Sequence, residues 1–173
     1  MSASAASQSA ELDTEISTHQ TLYAEPVLLV TAGLAFALLF MDIDFFKEIN
    51  DAHGHAAGNR ALKELSILFK KCVRESDILF RYGGDEFIAL LDPCDLLTAT
   101  AVAERIRQTV MQYDFLKKTK HPVRLTISIG IALWPQHART KKDLIEAADQ
   151  AMYQAKKLSR NLVYIAKESE NQA

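Results

Sequence analysis

The sequence predicts an α/β (α+β) fold, a mixed sheet with helices packed on it. Two patterns and their order predict it. Short apolar runs of alternating character mark strands, and longer runs with apolar residues at i, i+3 and i+4 mark amphipathic helices. These segments follow one another as β-α-α-β-β-α-β-α-β, an order that builds a helix-covered mixed sheet.

Residues 1–25 are small and polar, a tail running into a weak helix. Pro26 to Met41 is almost entirely apolar but falls short of the roughly 20 residues that a bilayer span needs. Its second half, Ala35 to Met41, already reads as the first strand, so no membrane span is expected. Asp42 stands at the carboxyl end of that strand, where α/β sheets usually place ligands. Asp44 reads as the N-cap of a helix beginning at Phe45. The free N–H groups there attract phosphate, and Lys47 adds a full positive charge.

From Ala56 to Val73, Leu62, Leu65, Leu68, Phe69 and Cys72 recur at helical spacing, with Lys63, Glu64, Lys70 and Lys71 in water. Ser76–Arg81 and Phe87–Leu91 read as strands joined across Gly83-Gly84, a hairpin with a tight primed turn. Leu97 to Met111 is helical on Val102, Ile106 and Val110. Val123 to Leu133 alternates strictly and is a strong strand signal. Asp143 to Leu158 is a helix burying Leu144, Ala148 and Met152, and Leu162 to Ile165 a closing strand. One domain therefore spans 26–168, with a short tail at 169–173.

A formal net charge of −2 over 173 residues leaves no electrostatic footprint for nucleic acid or an anionic membrane. Cys72 and Cys94 have neither CxxC nor His spacing and read as reduced thiols. The first residues lack a basic segment followed by an apolar run, so no secretory signal is read and a cytoplasmic location is expected.

The chemistry is concentrated in two acidic clusters. Asp85 and Glu86 follow the paired glycines at the hairpin tip, where adjacent like charges repel but can grip a hard cation such as Mg²⁺. From Gly-Gly-Asp-Glu alone, a solvated acidic turn is an equal reading. The second cluster, around Asp42, tips the balance. A strand end and a hairpin tip that both carry acids can share metal ions in one sheet, the layout of a phosphoryl or nucleotidyl transfer site.

Asp42-Ile-Asp-Phe-Phe-Lys…Asn50-Asp51…Gly54-His55…Gly58, then Arg81-Tyr-Gly-Gly-Asp-Glu-Phe87, resembles a GGDEF domain, the diguanylate cyclase family. The resemblance continues through Thr126-Ile-Ser-Ile-Gly130 and Ala148-Asp-Gln-Ala-Met-Tyr153-Gln-Ala-Lys156…Arg160-Asn161, covering Ala35 to Ile165. It implies a central sheet of about five strands, similar to the nucleotide cyclase and polymerase palm fold. It also implies a reaction, the joining of two GTP molecules into cyclic di-GMP with pyrophosphate released, assisted by Mg²⁺ or Mn²⁺ at the interface of two domains.

By position, the resemblance makes Asp42, Asp85 and the Ile43 carbonyl metal ligands, and gives Asp85, Glu86 and Lys47 to catalysis. It gives guanine to Asn50, His55 and Asn59, and phosphates to Phe45, Phe46, Lys47, Lys156 and Arg160. Arg74 and Asp77 match an Arg-x-x-Asp product-inhibition site for cyclic di-GMP. Bland readings stand beside several of these: His55 as a turn residue, Lys156 and Arg160 as a solvated basic helix end, Arg74 and Asp77 as a surface ion pair. The chain departs from the family in three places. Its opening before the first strand is short, Ser159 replaces a frequent Gly, and Asn59 replaces a usual Asp. An amide offers one acceptor atom where a carboxylate offers two, a difference worth about 1–3 kcal/mol of GTP affinity. The expectation is a diguanylate cyclase acting as a transient homodimer. The alternative is a weak or inactive module that binds GTP or cyclic di-GMP as a regulator.

Overall fold

The computed structural model describes residues 35–117 and 122–168. The polar stretch 1–25, the apolar residues 26–34 with the short opening, and the 169–173 tail lie outside the described residues. The elements are β1 (Phe36–Ile43), α1 (Phe46–His53), α2 (His55–Cys72), β2 (Ile78–Arg81), β3 (Glu86–Leu91), α3 (Leu96–Gln112), β4 (Ile127–Trp134), α4 (Lys141–Leu158) and β5 (Val163–Ile165). They follow the predicted order. The strands form one mixed five-stranded sheet, β2-β3-β1-β4-β5. β1 lies at its centre, antiparallel to β3 and β4, while β5 joins β4 in parallel.

The apolar run of β1 is explained by burial on both faces, as expected of a central strand. Alternate residues part to opposite sides. Leu39, Met41 and Ile43 pack with Leu65, Phe69, Val102 and Ile106 from α2 and α3. Leu38 and Phe40 pack with Leu144, Ala148 and Met152 from α4. Each such large side chain contributes about 1.5–3 kcal/mol on burial, well above the 0–1 kcal/mol of a surface ion pair. Packing of the helices therefore sets where the loops stand.

That alternation aims Asp42 toward α4, next in line after Leu38 and Phe40. Its cross-strand partners are Glu86 on one side and Ser128 on the other, so all three share this face. On β4 the same face carries Ser128, Gly130 and Ala132, all buried. A Cβ on Gly130 would run into the Ala148 carbonyl and the Met152 nitrogen. The missing side chain lets the backbone of α4 lie directly on the strand, which lowers Lys156 onto the end of β1.

Two details correct the sequence reading. The β4 ladder begins at Ile127, not Val123, because its partner runs out: Ile43 pairs with Ile127, and β1 then turns into α1. Val123 instead forms an isolated bridge with Phe115. Leu97, expected to open the α3 pattern, is exposed, while Ala99 and Ala103 join Val102, Ile106 and Val110 on the buried side.

Candidate functional site

The hairpin that presents Asp85 is not a tight primed turn. Pairing of β2 with β3 ends at Arg81↔Phe87, and Tyr82 to Glu86 form a longer loop closed by Tyr82 N donating to Glu86 O at 2.9 Å. Neither Gly83 nor Gly84 has a positive φ; among the described glycines only Gly54 does (φ 80). A Cβ on Gly83 would collide with the Glu86 carboxylate, and one on Gly84 would point into open space. The loop is held by Arg81, whose Nε donates to the carbonyls of Gly83 at 3.0 Å and Gly84 at 3.1 Å. That clamp was missed in the sequence, where its only sign was an arginine just before the glycines. The tip is tied to β1 by Ile43 N donating to Asp85 O at 3.3 Å.

Asp42 is 6% exposed. Lys156 Nζ lies 2.6 Å from its Oδ1 as an ion pair, and no other donor reaches that buried oxygen among the described residues. Burial raises the Asp42 pKa to about 6; Lys156 pulls it down, while Asp85 and Glu86 push it further up. An anion taken from water, with one lysine partner and two facing acids, is under-compensated. The arrangement fits a divalent cation, which prefers oxygen ligands and would relieve the repulsion. Among the described residues no three His, Cys, Asp or Glu side chains converge into a ready-made metal cluster.

Asp44 has a different fate from the expected one. Helix α1 begins at Phe46, with Phe45 as N-cap at φ 57 and no side-chain cap. Asp44, 3% exposed, accepts instead from Thr126 Oγ1 at 2.7 Å, Ser128 Oγ at 2.7 Å and the Asn161 backbone N–H at 2.9 Å. Three donors outcompete a cap. The uncapped start of α1 keeps N–H groups open beside exposed Lys47, as an anion site requires.

The turn after α4 closes the site. The Arg160 guanidinium lies 4.5 Å from the centroid of the Phe45 ring, itself 53% exposed. Lys156 and Arg160 thus converge on the β1–α1 junction, joining Asp42, Ile43, Phe45, Phe46 and Lys47. Their reading as a merely solvated helix end does not hold for Lys156. Farther along, a Cβ on Gly58 would collide with Asn50 Oδ1, so the Asn50 amide rests on the backbone of α2. His55 and Asn59 are exposed on α2 one turn apart, on one face. Arg74 and Asp77 lie elsewhere. The four residues of β2 separate Asp77 from the hairpin tip, roughly 13 Å at about 3.3 Å per residue. The Asp77 carboxylate accepts from the Arg74 backbone N–H at 2.7 Å, and among the described residues the Arg74 guanidinium forms no ion pair.

A cleft of about 470 Å³ opens beside Glu86 between the hairpin and the first half of α4, with Tyr82, Lys142 and Asp149 among its walls. None of the residues assigned to guanine lines it.

A family profile described as "Diguanylate cyclase, GGDEF domain" matches residues 17–162. The chain belongs to the GGDEF domain family of diguanylate cyclases. Diguanylate cyclase A of Treponema denticola is 42% identical over 131 residues, 76% of this chain and 35% of that protein. Diguanylate cyclase DosC of Escherichia coli is 40% identical over 137 residues, covering 79% of this chain and 30% of DosC. The chain thus spans about a third of the length of these curated relatives. Among solved structures, the GGDEF domain of TpbB from Pseudomonas aeruginosa aligns with TM-score 0.75 and 40% identity, over 79% of this chain and 84% of that one. The active GGEEF domain of a Vibrio cholerae diguanylate cyclase aligns with TM-score 0.72 and 31% identity, over 79% and 85%. The GGDEF assignment carries with it the mixed sheet described above. No helix among the described residues is long and apolar enough to cross a membrane.

Proposed function

We propose that this GGDEF domain is a diguanylate cyclase, condensing two GTP into cyclic di-GMP. The observation that supports it most is Asp42, a buried and under-compensated carboxylate held between Lys156 and the acidic hairpin tip. In each of two steps the 3′-hydroxyl oxygen of one GTP bonds to the α-phosphorus of the other. The bond from that phosphorus to its bridging oxygen breaks, pyrophosphate leaves, and the hydroxyl proton passes to Asp85 or Glu86. Asp42, Asp85 and the Ile43 carbonyl would hold the Mg²⁺ or Mn²⁺, which when bound lowers the hydroxyl pKa and neutralises phosphate charge.

The chain's own groups do the rest. The α1 N–H groups of Phe45, Phe46 and Lys47 take phosphate oxygens, Lys47 steadies the charge of the transition state, and Lys156 and Arg160 hold the terminal phosphates. Lys156 then exchanges Asp42 for phosphate when nucleotide and cation arrive together. Asn50, His55 and Asn59 form the guanine end. One domain holds one GTP, so two copies must meet face to face, and specific activity should rise with protein concentration. Cyclic di-GMP bound at Arg74 and Asp77, a strand's length from the tip, would hold domains apart from that arrangement.

The test is incubation of the purified chain with GTP and Mg²⁺, with Asp85→Ala alongside. Wild type should form cyclic di-GMP. Asp85→Ala should form none while melting normally, since Asp85 is half-buried in a loop and its side chain makes no hydrogen bond or ion pair among the described residues. Turnover retained in Asp85→Ala would remove the assigned metal site. Asn59 favours a second reading, a GTP- or cyclic di-GMP-binding regulator; nucleotide binding without turnover would select it.

A further inference from the structure

The turn that carries Arg160 is strained and held from two sides. Arg160 and Asn161 have φ of 55 and 46, left-handed conformations that Asn tolerates but Arg adopts only under constraint. From the sheet side, Asp44 Oδ2 accepts the Asn161 N–H at 2.9 Å. From the helix side, Arg107 of α3 donates from Nη1 to Asn161 Oδ1 at 2.9 Å. Arg107 is braced in turn by Glu104 Oε2, 3.0 Å from both its Nε and its Nη2. The Asn161 amide completes the clamp by donating from Nδ2 to Met111 Sδ at 3.3 Å. The side chains of Asp44, Arg107 and Asn161 are all engaged in hydrogen bonds, and that of Arg160 is not. Its guanidinium makes no hydrogen bond or ion pair among the described residues and lies over Phe45.

We propose that Asp44 and Arg107 are positioning residues of the nucleotide site: through Asn161 they fix the turn that aims Arg160 at the start of α1. This rests on the reading of Arg160 as a phosphate-binding residue. Neither Asp44 nor Arg107 touches nucleotide. A network that served only to fasten β5 would leave nucleotide affinity unchanged when cut at Arg107, on the far side of the turn from the site.

The test is a double-mutant cycle read by calorimetry with a non-hydrolysable GTP analogue and Mg²⁺, on wild type, Arg107→Met, Arg160→Met and the pair. Each single change should weaken binding about tenfold, and the pair should be no weaker than Arg160→Met alone, because coupled residues do not add. Additive losses, or no loss in Arg107→Met, would overturn the proposal. Asp44→Asn should stay within about threefold of wild type, since its amide oxygen can still accept from both the Asn161 N–H and the Thr126 hydroxyl, while the Ser128 hydroxyl turns to accept from the amide nitrogen. An Asp44→Asn loss as large as that of Arg160→Met would show a charge role instead. Should wild type bind no analogue, the nucleotide reading fails by itself. The clamp is then read from NMR relaxation: the Arg160 backbone order parameter should fall from about 0.85 toward 0.6 in Arg107→Met, and an unchanged value would overturn the clamp.

Discussion

Asp42 and Asp44 stand two residues apart, both carboxylates and both buried, at 6% and 3% exposure. Their surroundings differ completely. Asp44 receives three donors at 2.7–2.9 Å, from Thr126 just before β4, Ser128 on it and the turn after α4. Asp42 receives a single lysine and faces Asp85 and Glu86. Burial alone therefore does not mark a functional carboxylate. On the function proposed here, incomplete compensation does, because a group that the fold leaves short of partners can gain them from a ligand.

The comparison can be broken first by stability. Asp44→Ala leaves the Asn161 N–H without a partner and strips two hydroxyls of theirs, an expected loss of about 3 kcal/mol in denaturant unfolding. Asp42→Asn, measured without cation, should stay within about 0.5 kcal/mol of wild type or exceed it, since it neutralises a poorly compensated buried charge. Equal losses in the two would erase the distinction.

A pH titration sharpens it next. With its pKa raised to about 6, Asp42 holds its proton longer in the folded chain than in the unfolded one. Raising pH from about 4 to 6 therefore weakens the cation-free fold in this respect. A cation must displace that proton, so Mg²⁺-dependent nucleotide binding should fall about tenfold per pH unit below 6 and level off above 7. A midpoint near the ordinary carboxylate value of about 4 would mean that Asp42 is not strained by burial.

The smallest effect isolates one donor. Ser128→Ala removes the 2.7 Å bond to Asp44 Oδ1 and should cost about 1 kcal/mol. A loss of the full Asp44→Ala size would place the network's weight on β4 instead of on the Asn161 turn.

What was legible in the sequence follows from where the partners lie. The strands and helices were legible because the unbroken apolar run Leu38 to Met41 reflects a strand buried on both faces, and the spacing of Leu62 to Cys72 a helix buried on one. Asp42, Asp85 and Glu86 were legible because a strand end and a hairpin tip are local features. Asp44 was misread as a cap because its donors come from Thr126, Ser128 and Asn161, far along the chain. Gly83 was misread as needing a positive φ; it has none, and a Cβ there would meet only the movable end of the Glu86 side chain. Gly130 makes room for α4, a helix not yet formed in any local reading. Arg81, Arg107 and Asn161 act through backbone carbonyls or across elements, and no spacing announces such contacts.

The most direct test of the account is the rate of cyclic di-GMP formation from GTP with saturating Mg²⁺, compared between Asp42→Asn and Asp44→Asn at equal protein concentration. The account predicts that Asp42→Asn loses roughly a thousandfold, on the scale of removing a transition-state electrostatic partner, while Asp44→Asn stays within about tenfold of wild type. Equal losses, or a greater loss in Asp44→Asn, would contradict it.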